Sequence, residues 1–157
     1  MNSSDLAHFI AQRQIPAELI ELEGHTPTVE AAARVMGTRV ERIAKSLLFL
    51  ADGAPVLVIA NGTARVDPRR VADHLGLARK RVRFADAETM ERLTGYTAGS
   101  MPPFGHLAPL KTLVDRRALA EPELYAGGGS VRALLRVNPE TICRVTGAEV
   151  VDVVNDG

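Results

Sequence analysis

The sequence contains few of the residues that several functional classes depend on. Its 157 residues include one cysteine and no tryptophan, and only 4% of them are aromatic. A single cysteine cannot build an intramolecular disulfide framework, so the chain fits a reducing compartment. The formal net charge is zero, from 19 basic and 19 acidic residues. No large uniform field therefore attracts this protein to nucleic acid or to membranes.

Long hydrophobic runs are also absent. Although 46% of the residues are hydrophobic, no run approaches the roughly 20 apolar residues that cross a bilayer. The first six residues have no basic region followed by an apolar one, so we expect no signal peptide. We expect a cytoplasmic globular protein with no membrane partner, folded as one domain over residues 1–157.

The spacings typical of metal sites are missing as well. The chain has four histidines without a His-x-His or His-Glu-x-x-His pattern, and Cys143 has no second cysteine. We expect no metal and no other cofactor. Cys143 lies on the predicted inner face of a helix, so we interpret it as a packed thiol and not as a nucleophile.

Apolar patterning predicts short helices and strands in mixed order. Two apolar runs, 46–50 and 56–60, are joined by Asp52-Gly53 and predict a hairpin of two central strands. Because hairpins and helices alternate without regular βαβ repetition, we expect an α+β domain with a mostly antiparallel sheet flanked by helices. The other predicted helices are from Ser3 or Ser4 to about Gln14, 27–36 with a further turn at 40–44, 67–75, 86–94 and 139–146. The other predicted strands are 18–22, 82–84, 110–114, 123–126, 131–137 and 150–154.

The most informative segment is 95–106, which combines three glycines with two consecutive prolines. Glycine permits positive φ and close approach to the backbone, whereas proline locks φ. Such a loop can present N–H groups to a carbonyl or an anion, and a turn that only reverses the chain is the alternative. Ser100 lacks the second glycine of a nucleophile elbow, so covalent serine catalysis is not favoured. His106 can act as a general base or ligand contact, or it can order its own loop.

Three other features carry candidate chemistry with open alternatives. Lys45 lies beside an apolar strand, where its ammonium either reaches water or points into a cleft. The triple glycine 127–129 is either a tight turn or a place where a ligand approaches the backbone. Segment 65–83 has seven basic and two acidic residues, which is either a phosphate-facing patch or a solvated surface.

Taken together and in this order, these segments resemble the YbaK/EbsC family. That family includes the editing domain inserted in bacterial prolyl-tRNA synthetases and free-standing aminoacyl-tRNA deacylases. The resemblance covers about residues 15–154 and rests on segments 40–50 with its lysine, 99–106, 113–115, 125–129 and 134–154.

The resemblance implies a fold, a reaction and a site. The implied fold is a mixed, largely antiparallel sheet flanked by helices, and the implied reaction removes an amino acid wrongly esterified to a tRNA. The family's lysine corresponds to Lys45, which is expected to hold a phosphate or ribose oxygen of the terminal nucleotide. The backbone amides of Gly99, Ser100 and Met101 are expected to hold the ester carbonyl. The expected substrate-binding residues are His25, Thr28, Pro103, Phe104, His106, Gly128 and Gly129.

The leading hypothesis is therefore a free-standing trans-editing hydrolase that deacylates mischarged aminoacyl-tRNA, with tRNA(Pro) as its RNA. Its expected partners are the aminoacylated acceptor end and prolyl-tRNA synthetase. One alternative is a catalytically weak module of the same fold that binds an aminoacyl-tRNA or a nucleotide, and another is a protein-interaction domain. Segment 100–104 is bulkier than in family members dedicated to cysteinyl-tRNA, so a small aliphatic or hydroxylated amino acid is as good a candidate as cysteine.

Overall fold

Five α-helices and eight strands follow one another in mixed order along residues 1–155, the part of the chain that this computed structural model describes. The helices are α1 (Ser3–Gln12), α2 (Val29–Met36), α3 (Pro68–Leu75), α4 (Ala87–Thr94) and α5 (Pro139–Thr146). The strands are β1 (Ala17–Glu21), β2 (Ala44–Ala51), β3 (Ala54–Asn61), β4 (Val82–Phe84), β5 (Lys111–Asp115), β6 (Leu124–Gly127), β7 (Ala133–Val137) and β8 (Glu149–Val151). None of these helices is long and apolar enough to cross a membrane.

Capping residues set the ends of α3 and α4. The Asp67 carboxylate accepts a hydrogen bond from the N–H of Arg69, and Gly76 ends α3 with a φ of 70°. Asp86 caps α4 in the same way, and Gly95 ends it with a φ of 86°. Both helices lie where the sequence predicts them, because these caps act within one turn of chain.

The first helix differs from the prediction at both ends. Asn2 caps it, and not Ser3 or Ser4, because the Asn2 side chain accepts hydrogen bonds from two N–H groups of the first turn. The Asp5 carboxylate in turn accepts from the Asn2 N–H, which completes a capping box. The helix stops before the predicted end at Gln14, whose φ of 52° lies outside the helical region.

The strands form two sheets. The larger has the order β4-β2-β3-β5-β8 and the smaller the order β1-β7-β6. Pairing is antiparallel except between β3 and β5 and between β5 and β8. The α+β class with mostly antiparallel pairing is confirmed, and the division into two sheets is a feature that the sequence prediction lacked.

Strands β2 and β3 lie inside the larger sheet and are buried on both faces. Consecutive residues of β2 alternate between two core clusters, with Leu48 in one and Phe49 in the other. The predicted central hairpin is confirmed, and its turn at Asp52-Gly53 has positive φ at both residues.

The predicted helical turn over 40–44 is wrong. The chain makes a 3₁₀ turn at Val40–Arg42 and then extends, because Ile43 pairs with Tyr125 next to the start of β2. This bridge joins the two sheets. It also places the first residues of β2 against β6, where the candidate site lies.

The predicted last strand, 150–154, is also shorter in the structure. Strand β8 ends at Val151, and the N–H of Val153 then donates to the buried Asp115 carboxylate at 2.9 Å. Val154 pairs with Val66 in an isolated bridge. The end of the described chain therefore fastens the segment between β3 and α3.

Candidate functional site

A pocket of about 170 Å³ opens where the two sheets meet. Its walls come from the segment before α2, the start of β2, the glycine-proline loop and β6. This volume is below the roughly 300 Å³ of pockets that enclose a drug-sized ligand, so the pocket has room for a small group only. The lining residues are Thr26, Pro27, Thr28, Val29, Ala32, Ile43, Ala44, Lys45, Ser46, Leu47, Ala98, Gly99, Met101, Tyr125, Ala126, Gly127 and Leu134.

Lys45 is half-buried in this wall. Its Nζ donates a 2.6 Å hydrogen bond to the carbonyl oxygen of Ala64, in the loop that follows β3. Burial lowers the pKa of Lys45, the nearby Glu30 opposes that shift, and Arg65 adds to it. Of the two options that the sequence left open, the structure places Lys45 in a cleft, with its ammonium held at the edge.

Gly99 also lines the pocket, from the opposite element. It lies in the 3₁₀ turn Ala98–Ser100, whose first N–H groups have no acceptor within the turn. A Cβ at Gly99 would meet only Val131 Cγ1, at 3.8 Å, and its φ is not in the positive range. Glycine is therefore not required here by the protein's own conformation, and the space in front of it belongs to the pocket.

Ser100 stabilises its own loop, whereas Met101 lines the pocket. The Ser100 hydroxyl is bonded to Thr97 and its N–H donates to the Thr97 carbonyl at 3.1 Å, so neither group is available to a ligand. The Ser100 carbonyl accepts the N–H of Gly129 at 2.9 Å. Met101 is buried and contributes to the pocket wall.

The triple glycine packs against the protein's own backbone. A Cβ at Gly127 would fall on the Met101 carbonyl oxygen, and one at Gly128 would lie 2.5 Å from the Ala133 carbonyl carbon. Gly129 has a φ of +89° and approaches the backbone before α1. Gly127 lines the pocket, whereas Gly128 and Gly129 are buried away from it.

The segment before α2 contributes Thr28 but not His25. The Thr28 hydroxyl caps α2 by accepting the Ala31 N–H at 3.0 Å, and the residue also lines the pocket. His25 is exposed and lies outside the lining.

Three of the predicted substrate-binding residues lie on the other side of the loop: Pro103, Phe104 and His106. They line a second pocket of about 270 Å³, beside Phe9. Phe104 is buried and stacks on Phe9 with ring centroids 5.9 Å apart. His106 Nε2 donates to the Pro102 carbonyl oxygen at 2.8 Å, and burial lowers the pKa of this imidazole. His106 thus orders its own loop, and these three residues do not reach the first pocket.

Two residues near the pocket did not stand out in the sequence. Ser46 Oγ is buried in the pocket wall and has no hydrogen-bond partner among residues 1–155. Arg65 lies beside Lys45, and the sequence showed it only as one member of a basic stretch. The sequence does not predict which face of the strand Ser46 occupies, because it lies at the edge of a continuous apolar run without polar–apolar alternation.

The arrangement also limits the chemistry that the pocket supports. Its titratable lining residues are Lys45 and Tyr125, and it contains no carboxylate or imidazole among the described residues. Within residues 1–155, no group of three or more His, Cys, Asp or Glu side chains is placed to hold a metal ion. The site offers a cation, backbone N–H groups and a small apolar cavity.

Fold and site together define a small α+β domain with a small pocket that Lys45 lines. The chain belongs to the aminoacyl-tRNA editing domain family, whose model matches residues 23–145. This confirms the resemblance on which the sequence interpretation rests.

Individual proteins and a solved structure are also similar to this chain. The chain is 28% identical over 141 residues to the uncharacterized protein YwhH of Bacillus subtilis, with 88% of each chain covered. It is 33% identical over 115 residues to proline–tRNA ligase of Bacillus licheniformis, a match that covers 71% of this chain but only 20% of the ligase. A solved structure described as a candidate trans-editing enzyme for prolyl tRNA synthetase has a TM-score of 0.90 and 32% identity, covering 98% of this chain and 96% of that one.

Proposed function

We propose that this protein is an aminoacyl-tRNA deacylase that acts in trans on mischarged tRNA(Pro), the product of prolyl-tRNA synthetase. The observation that carries the proposal is the convergence of Lys45 and Gly99 on one small pocket from separate elements. Membership of the editing-domain family supports the reaction class, and the likeness to a candidate trans-editing enzyme supports the free-standing mode of action.

The pocket is suited to the aminoacyl group alone. Its 170 Å³ accommodates a small side chain, and the ribose and phosphates of the acceptor end remain outside. Met101, Tyr125 and Leu134 give the cavity apolar walls, so a small aliphatic side chain gains from burial there. Ser46 adds one hydroxyl that can pair with a polar group of the substrate.

Lys45 and Gly99 have different roles in this proposal. The Lys45 ammonium binds a phosphate or ribose oxygen of the terminal nucleotide and positions the ester in the pocket. The Gly99 N–H donates to the carbonyl oxygen of the ester, whose negative charge grows during attack.

The chemical step is hydrolysis without an enzyme nucleophile. A water oxygen attacks the ester carbonyl carbon, the bond from that carbon to the ribose oxygen breaks, and the ribose oxygen takes a proton. Because no carboxylate or imidazole lines the pocket in the described residues, the water's proton passes to the substrate's own amine, or is relayed by its hydroxyl, and from there reaches the departing ribose oxygen. Catalysis then rests on positioning and on stabilisation of the oxyanion.

The experiment is deacylation of a panel of mischarged RNAs. The purified protein is incubated with tRNA(Pro) carrying alanine, serine, threonine or cysteine, and with the same amino acids on their own tRNAs as controls. We expect release of one or more small amino acids from tRNA(Pro) and little release from the matched tRNAs. Binding without release from any of these RNAs would instead identify a module that binds aminoacyl-tRNA. Equal release from both sets of tRNA would contradict the assignment to tRNA(Pro).

A further inference from the structure

The loop between β3 and α3 covers the outer side of Lys45. Ala64 accepts the Lys45 hydrogen bond, and the next residue in the chain is Arg65. The loop is fastened at both ends, because the Gly62 N–H donates to Ile43 and the Arg65 carbonyl accepts the Asn155 N–H, each at 2.9 Å. Arg65 is thus presented beside Lys45 by an anchored backbone.

Several arginines of the basic stretch use their side chains within the protein, whereas Arg65 does not. The Arg70 guanidinium is bonded to the Val154 carbonyl and to Asp152, and that of Arg81 pairs with Asp52 at 2.7 Å. The Arg65 side chain is exposed and forms no ion pair or hydrogen bond within residues 1–155. It is the member of the stretch that adjoins the Lys45 pocket.

The local charge balance at the pocket mouth favours an anion. Lys45 and Arg65 are near enough to repel each other, and Glu30 is the carboxylate that acts on Lys45 from α2. Neither cation forms an ion pair with a carboxylate in the described part of the chain. Adjacent cations without a carboxylate partner form a site for phosphate groups, which carry the charge of a nucleic acid backbone.

We propose that Arg65 is a substrate-positioning residue that binds a backbone phosphate of the single-stranded acceptor end, next to the group held by Lys45. This inference rests on the proposed deacylase function. Because Arg65 does not line the pocket, it acts on the RNA and not on the amino acid. Lys45 and Arg65 together would direct the RNA along the loop between β3 and α3.

The test compares Arg65→Gln and Arg65→Lys with Arg144→Gln. Arg144 is an exposed arginine on α5, outside every element that lines the pocket, and serves as the matched control. Single-turnover deacylation is measured across NaCl concentrations on an aminoacylated RNA and on 3′-O-aminoacyl adenosine, which has no phosphate. Binding of an uncharged single-stranded RNA ending in CCA is measured in parallel by fluorescence anisotropy.

For Arg65→Gln we expect kcat/KM on the aminoacylated RNA to be about tenfold lower at low salt, because KM rises. The slope of log affinity against log salt should fall by about 0.7, the value for one contact to a single strand. Arg65→Lys should keep most of the activity, and hydrolysis of aminoacyl adenosine should be unchanged in every variant.

Two results would overturn the proposal. One is an Arg65→Gln variant whose rates and salt slope equal those of Arg144→Gln. The other is an equal loss on aminoacyl adenosine, which would make Arg65 a support for the loop and not a phosphate ligand. If the wild-type protein deacylates nothing, the proposed function fails, and the anisotropy slope with the CCA-ended RNA still decides whether Arg65 binds phosphate.

Discussion

The Nζ of Lys45 and the carbonyl oxygen of Ala64 are 2.6 Å apart, and this hydrogen bond ties the pocket's cation to the loop after β3. The ammonium is thus held at the pocket edge by one backbone acceptor and retains two N–H donors for a ligand. The positioning of Lys45 therefore depends on a loop 19 residues away from it in sequence.

Replacing Lys45 by alanine should reduce deacylation strongly and leave the fold intact. The lost charge-assisted contact should raise the barrier by about 2–3 kcal/mol. Single-turnover rates and thermal midpoints of Lys45→Ala and the wild type provide the check. Lys111→Ala is the control, since Lys111 is an exposed lysine paired with Glu149 on the sheet surface. Full activity in Lys45→Ala would show that Lys45 does not bind the substrate.

The activity that depends on Lys45 should be lost on the alkaline side at a pH below the ordinary lysine value of 10.5. Burial lowers the pKa of Lys45, so the ammonium loses its proton earlier than a free lysine does. In the proposed mechanism the charged form binds the substrate, so its contribution is full well below the lowered pKa and falls as the pH rises through it. Comparison with Lys45→Arg, which stays charged, across the same pH range tests this. Parallel pH profiles for the two proteins would contradict the assignment.

Gly99→Ala should impair catalysis and leave stability almost unchanged. Its methyl group would meet only Val131 Cγ1, at 3.8 Å, and its φ causes no strain, so any effect arises from contact with the bound ester. Gly53→Ala is the control that should lower stability and leave the rate unchanged. Gly53 has a φ of +84° in the hairpin turn, so the change should cost roughly 1 kcal/mol of stability. Rates per folded molecule and thermal midpoints separate the two variants. An unchanged rate in Gly99→Ala would leave the loop with a structural role only.

Gly128→Ala should be among the most destabilising changes in the chain. The added Cβ would lie 2.5–2.7 Å from backbone atoms of Ala133 and Leu134, which cannot move without disturbing β7. We expect a loss of about 2 kcal/mol or more, measured by urea unfolding. Gly24→Ala meets nothing within 4 Å and has no positive φ, so its unfolding midpoint should stay at the wild-type value. A stable Gly128→Ala variant would mean that the backbone here yields, and that ligand approach again becomes a reason for the glycine.

Ser46→Ala and Ser100→Ala should have opposite effects on stability. The Ser46 hydroxyl is buried and has no partner in the described part of the chain, so its removal should leave stability equal or higher. The same change should weaken binding of a substrate whose polar group pairs with this hydroxyl. The Ser100 hydroxyl is bonded to Thr97, so its loss should cost about 1 kcal/mol. Thermal midpoints and kcat/KM on each amino acid of the panel check both. A Ser46→Ala variant with unchanged kcat/KM on every amino acid would exclude a substrate contact.

The features that depend on a few consecutive residues could be predicted from the sequence. Helices α3 and α4 lie at their predicted places because Asp67 and Asp86 act on N–H groups of the next turn, and Gly76 and Gly95 end the helices in positive φ. The central hairpin follows from the Asp52-Gly53 turn for the same reason. Lys45 and Gly99, which the sequence marked as candidates by the lysine beside an apolar strand, the glycine-proline loop and the family resemblance, line one pocket in the structure.

The direction in which the glycine-proline loop faces depends on contacts between distant segments of the chain. The carbonyl of Ser100 meets the N–H of Gly129 far along the chain, and this contact turns Gly99 and Met101 toward the pocket while Phe104 packs on Phe9 behind it. Composition and spacing contain no measure of such long-range contacts, because each depends on where two distant segments are brought together by packing. The same physical reason explains the division of the strands into two sheets and the placement of Arg65 beside Lys45.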